Sequence, residues 1–198
     1  MIESKQDFRY YVRADLAAHG LDRWRLLSRL WEPEAAFQRQ LRRLEYVQTC
    51  RRDPIGRLWF HVLQFRFLRA SRRLGFTIPT GVFGPGLSIA HYGSIVVTGR
   101  ARVGRNCRIH SDVNIGETHD GAPMIGDNVY IGPGAKIFGA ITIGDGVAIG
   151  ANAVVHRDVP AGVTVGGVPA RVISEKGSHD LVVDACGAAS RNGEGPTA

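Results

Sequence analysis

The chain has no unbroken apolar run approaching the roughly eighteen residues that a transmembrane helix needs. Its opening stretch, MIESKQDFRYYVRAD, also lacks the basic-then-apolar pattern of a secretory leader. Cysteine is scarce: Cys50, Cys107 and Cys186 are far apart, odd in number and without metal-site spacing. No membrane span and no metal are therefore expected, and a reducing cytoplasm is the expected compartment. No recognised nucleic-acid module accompanies the chain's positive charge, so nucleic acid is not an expected partner. What remains is 198 residues, 44% hydrophobic, enough for a substantial core in one modest subunit.

The charge is uneven. Residues 1–75 hold 16 Lys or Arg against 8 Asp or Glu, whereas residues 76–198 hold 9 against 10. Arg66, Arg69, Arg72 and Arg73 fall in one helical stretch, where a basic face could meet phosphates, anionic lipid head groups or a partner subunit. The N-terminal third reads as helices over 7–18, about 23–31, 34–50 and 54–73. Phe37, Leu41, Leu44 and Val47 give the third a buried stripe. Asp53 followed by Pro54 is a helix start on backbone grounds alone.

Beyond residue 73 the periodicity changes. An aliphatic residue recurs every sixth position through Val97, Val103, Ile109 and Ile115, then through Ile125, Ile131, Ile137, Ile143, Ile149 and Val155. Helices repeat near 3.6 and strands near 2, so this period implies a solenoid of short strands with about eighteen residues per three-sided coil. Smaller residues four positions on, such as Cys107, Ala135 and Ala153, fall near the corners, and Cys107 reads as packing. One gap breaks the series: Ile115 to Ile125 is ten positions, so GETHDGAP holds a loop that leaves the coil wall with Glu117, His119 and Asp120. His91 and His110 lie nineteen positions apart, about one coil, and with coils spaced about 4.8 Å they are expected to be neighbours. After Ser174 the period is lost, and GAASRNGEGPTA has the composition of a flexible tail. The expected division is 1–73 helical, 74–174 solenoid and 175–198 tail.

IAHYGSIVV, the hexads, GDNVYIGPGAKIFG, IGANAVV and the closing GVPARVI together resemble the hexapeptide-repeat acyltransferases. Within that group the likeness is specifically to the serine acetyltransferase family and its short relatives encoded with capsule or exopolysaccharide genes. The resemblance is close over 74–174 and looser over the helical part. It implies an α+β chain whose C-terminal left-handed parallel β-helix follows a helical N-terminal region. It also implies an O-acetyltransferase that moves acetyl from acetyl-CoA, a co-substrate, to a hydroxyl of a small polar acceptor, L-serine or a sugar. His91 matches the family's general base, a task suited to an imidazole because that ring titrates near neutrality. Gly134, Ala135 and Ala153 match small residues along the pantetheine arm, with Lys136 and Arg171 toward the CoA phosphates. Asp53 matches an Asp-Pro acid that contacts serine. Relatives form homotrimers with sites between subunits, and the N-terminal helices are expected to cap the solenoid or join trimers into hexamers.

The family pattern is not complete. The acid expected before the base is Ala90, the upstream orienting acid is Phe76, and the second histidine aligns with Ala122. His119, three residues earlier in the same loop, is the expected substitute, with Asp112 or Glu117 to orient an imidazole and hold the acceptor. Two other readings of the solenoid stand beside this one: a zinc hydrolase or carbonic anhydrase with three imidazoles across a trimer interface, and a non-catalytic assembly subunit.

Overall fold

In the computed structural model, which describes residues 1–21 and 31–191, the six-residue period closes into a left-handed parallel β-helix. Its walls are ladders of two- and three-residue strands. One stacks Phe76–Thr77, Ile95–Val97, Asn114–Gly116, Lys136–Phe138 and Val154–Val155. A second runs from Ser88–Ile89 through Arg108–Ile109, Tyr130–Ile131 and Ala148–Ile149 to Thr164–Gly166, and a third stacks Arg102–Val103, Met124–Ile125 and Thr142–Ile143. The period becomes register because each hexad aliphatic sits on its counterpart one coil away: Val97 on Ile115, Ile115 on Ile137, Ile137 on Val155. The middle step is longer by the four inserted residues, which leave the wall without disturbing the stack. The far end is closed by Arg171–Ser174, which turns back antiparallel on Thr164–Gly166.

The small residues after each aliphatic fill the coil interior. Cys107, Val113, Val129, Ala135, Val147 and Ala153 are at most 1% exposed. Burial pushes the Cys107 thiol up to about 12, so it packs and does not react. Corners need left-handed backbone, and the residues that tolerate it recur there. Gly86, Asn106, Asn128, Gly146 and Gly162 make one corner ladder, with Asn106 Nδ2 donating to Asn128 Oδ1 at 2.8 Å.

The helices are α1 (Lys5–Ala18), α2 (Pro33–Cys50), α3 (Pro54–Leu74) and, near the other terminus, α4 (Ala185–Arg191). Ser4 caps α1, its hydroxyl accepting from Asp7 N–H at 3.0 Å, and Gly75 ends α3 with φ 79°. The helix expected near 23–31 lies outside the described residues but for Trp31.

A β-helix has an open first coil whose backbone lacks partners on one side. Here side chains of α1 and α2 replace the missing coil. Asp15 accepts from Gly86 and Leu87 N–H at 2.9 and 3.0 Å, Gln38 from Ile89 N–H at 3.2 Å, Glu45 from Gly81 N–H at 2.8 Å and Glu34 from Tyr92 N–H at 2.9 Å. Arg42 donates to the carbonyls of Phe83 and Gly84 at 2.9 and 2.6 Å. The same guanidinium binds Asp15 at 2.8 Å and Glu45 at 3.0 Å and lies 4.9 Å over the Tyr11 ring. Arg42 is fully buried; burial works against its charge, but the two carboxylates outweigh that and hold its proton more tightly than usual.

The tail expected over 175–198 is not loose where it is described. Ser178 N–H donates to the Gly146 carbonyl at 2.9 Å, and Cys186 N–H to Asn106 Oδ1 at 3.1 Å, so this segment pairs with the solenoid's corner ladder. Helix α4 then buries Cys186 and Ala189 with Tyr10 and Ala14 of α1. Small side chains permit this close approach, which is why the segment reads from composition as unstructured. Residues 192–198 of the expected tail lie outside the described residues.

Candidate active site

His91 stands exposed at the corner after Ser88–Ile89, where the chain turns toward Ile95–Val97. The turn is fixed from behind: Tyr92 N–H binds Glu34 of α2, and Gly93 N–H the Leu74 carbonyl at the end of α3. One coil further on, the His110 ring lies 5.9 Å from the His91 ring, edge to face, and 5.1 Å from Tyr130 beyond it. The two histidines are thus neighbours, as their spacing implies. His110 Nε2 is buried with no hydrogen-bond partner among the described residues. Burial, then Arg108 and His91, lowers the His110 pKa, favouring a neutral ring beneath an exposed imidazole.

The acids that the family pattern would place around this imidazole are absent. Phe76 is in the core, paired beside Ile95 with its ring 4.9 Å from Phe37, so no carboxylate reaches the corner from that position. Glu117 does not take over: its carboxylate accepts from Thr98 Oγ1 at 2.9 Å and lies 3.7 Å from Arg100. Asp112 occupies a left-handed corner, φ 60°, where its main-chain carbonyl accepts from Lys136 Nζ. The inserted loop is closed by reciprocal backbone hydrogen bonds between Thr118 and Gly121, and it projects His119, its side chain 90% exposed, with Nε2 3.0 Å from Asp120. The structure therefore unites His91 with His110 and Tyr130, while His119 stands on its own loop.

The residues expected along a pantetheine arm divide. The methyl groups of Ala135 and Ala153 are fully buried in the coil interior, so their side chains do not themselves line a surface groove. Gly134 has φ 75°, and a Cβ there would overlap Asn152 Oδ1, so the corner itself requires glycine. Lys136 is exposed on its strand. Arg171 is exposed and borders an open cleft of about 200 Å³ that also takes in His156, Arg157, Asp158 and Pro160. Asp53 caps α3, accepting from Gly56 N–H at 3.2 Å, and the hydrogen bond from Arg51 holds its carboxyl down at about 2. Its position beside Pro54 is thus explained by the helix start.

Sequence reading missed Tyr130 and Arg157. Tyr130 could have been found by counting one coil, lengthened by the insertion, from Arg108. Arg157 follows the last hexad directly, in HRD. Among the described residues, no group of three His, Cys, Asp or Glu side chains is arranged to hold a metal, and no helix is long and apolar enough to cross a membrane.

Comparison with known proteins points the same way. Residues 122–157 match the family model described as bacterial transferase hexapeptide (six repeats). The serine acetyltransferase of Synechococcus elongatus is 42% identical over 103 residues, 50% of this chain and 42% of that protein. The chain thus spans under half the length of the cyanobacterial relative. Among solved structures, the serine acetyltransferase of Neisseria gonorrhoeae in complex with serine matches with a TM-score of 0.69 and 30% identity, covering 86% of this chain and 71% of that one. The soybean serine acetyltransferase apoenzyme gives 0.66 and 31%, covering 84% and 69%. With helices as well as coils superimposing on these enzymes, the chain belongs to the hexapeptide-repeat serine acetyltransferase family.

Proposed function

We propose that this chain is an acetyl-CoA-dependent O-acetyltransferase acting on a small polar hydroxyl acceptor, L-serine or a sugar hydroxyl, with His91 as general base. The observation that carries the reading is the His91 corner: a solvent-facing imidazole backed by the His110 ring, whose Nε2 is buried without a partner among the described residues, on a solenoid of this family. The acceptor hydroxyl gives its proton to His91 as its oxygen forms a bond to the thioester carbon. Backbone N–H groups stabilise the tetrahedral oxyanion. When the carbon–sulfur bond breaks, the His91 imidazolium returns the proton to the CoA sulfur, and the acetyl ester and free CoA leave. Direct transfer needs neither an acyl-enzyme nor a metal.

In this reading the active assembly is a homotrimer, with hexamers formed through the N-terminal helices. A neighbouring subunit's inserted loop brings His119 to the acceptor, in place of the family's second histidine. Lys136 and Arg171 meet CoA phosphates, with Arg157 beside Arg171 in the same cleft. The loss of the family's acids at positions 76 and 90 removes charged groups that would hold serine, which favours a sugar hydroxyl, while the serine-bound Neisseria relative keeps L-serine among the acceptors.

Free-thiol detection of CoA release from acetyl-CoA, with L-serine, L-homoserine, sugars and nucleotide sugars as acceptors, tests the function. Acceptor-dependent release from one of them is expected. Release that ignores every hydroxyl and rises with added zinc would transfer the site to hydrolysis. In the same assay Arg171→Ala is expected to raise KM for acetyl-CoA about tenfold, the loss of one charge-assisted contact, with KM for the acceptor little changed. The opposite pattern would move Arg171 out of the cofactor cleft.

A further inference from the structure

Helix α3 carries two apolar faces, and only one is used. Its inner face, Phe60, Leu63, Phe67, Ala70 and Leu74, packs on the solenoid core, with Phe67 stacked 5.0 Å from Phe37 of α2. The opposite face presents Ile55, Leu58, Trp59, Val62, Phe65 and Leu68 to solvent, each between 42% and 68% exposed. The outer stripe packs on none of the described core residues, and contiguous exposed apolar surface of this kind marks a contact.

The charge around it identifies the partner. Helix α3 contains five arginines and no acidic residue. Arg52 and Arg57 stand at the start of the stripe, and Arg66, Arg69, Arg72 and Arg73 follow along its C-terminal half. Arg72 and Arg73 also suit the negative end of the helix. Among the described residues, none of these last four has a carboxylate partner. A second copy docked by the same face would set arginines against arginines, so a contact between trimers through the N-terminal helices would fall to α1 or α2. The acid at hand, Asp53, is already engaged by Arg51 at 2.9 Å. An aromatic and aliphatic stripe bearing Trp, flanked by unpaired arginines, instead matches the interface of an anionic bilayer, with side chains among the acyl ends and guanidinium groups at the phosphates.

We propose that the outer face of α3 is a docking surface for an anionic lipid membrane. The full chain is expected to co-sediment with vesicles of phosphatidylcholine and phosphatidylserine but not with phosphatidylcholine alone, and to be released by salt. Bromine-labelled acyl chains should quench tryptophan emission in the parent protein and not in Trp59→Phe. Leu58→Ser with Phe65→Ser, and separately Arg69→Gln with Arg72→Gln, should each weaken vesicle binding at least about tenfold, with CoA release retained. Failure of the parent protein to bind phosphatidylserine vesicles would overturn the proposal. So would equal binding to neutral vesicles, or a fall in oligomeric state in the Leu58→Ser, Phe65→Ser chain without any vesicle binding, which would assign the face to a second copy.

Discussion

Replacing Arg42 by methionine is expected to destabilise the chain by about 3–5 kcal/mol, the cost of leaving a buried charge without its partner. In a chain of this size that lowers the thermal midpoint by roughly 10 °C. The magnitude follows from what Arg42 holds. Its guanidinium engages Asp15, Glu45 and the carbonyls of Phe83 and Gly84, and Asp15, Glu45 and Phe83 are buried. Methionine fills the volume and satisfies none of them. Converting Asp15 and Glu45 to apolar residues as well is not expected to restore stability, because Asp15 also serves Gly86 and Leu87 N–H, and Glu45 serves Gly81 N–H, at the open coil. Arg105 is the control. Its pair with Asp127 is 2.8 Å long, but the arginine side chain is 59% exposed, so Arg105→Met should cost under about 1 kcal/mol. Equal midpoints for the two variants in thermal unfolding would show that the polar cap does not hold the first coil.

How much of this was legible in the sequence depends on whether a feature repeats. The hexads announce the solenoid because an interior three residues wide per side admits only aliphatics at Ile109, Ile131 and Ile149, position after position. The insertion after Ile115 shows as a broken count, and the His91 and His110 rings are close because both belong to the same count. Arg42 belongs to no count. Among Arg39, Arg42 and Arg43 it looks like one more surface cation, and its partners lie up to forty-two positions away. Helix α4 is hidden for a related reason: Ala185, Cys186 and Ala189 have little to bury by themselves, and their order comes from α1 and the corner ladder. Ala135 and Ala153 are ambiguous in the sequence because small size suits both a ligand groove and a coil interior. Their methyl groups lie in the interior.

The lack of family acids at positions 76 and 90 leaves the His91 corner dependent on ring packing for its orientation. With Phe76 in the core, the contacts that can hold this imidazole are the fixed turn at Tyr92 and Gly93 and the His110 and Tyr130 rings beneath it. His119, paired with Asp120 on the loop, has the opposite character: its side chain is 90% exposed and stands clear of the coil wall.

The measurement that bears most directly on the account is CoA release by His91→Ala beside the parent protein and His119→Ala, at saturating acetyl-CoA and acceptor. Removing a general base lowers the rate by about 10²- to 10⁴-fold. His91→Ala should show that loss with little change in thermal midpoint and an unchanged oligomeric state, since the ring is exposed and its edge-to-face pair with His110 adds little to folding, while His119→Ala should act mainly on KM for the acceptor. Parent-level turnover in His91→Ala, or a loss of turnover that follows His119 instead, would contradict the assignment of the base to the His91 corner.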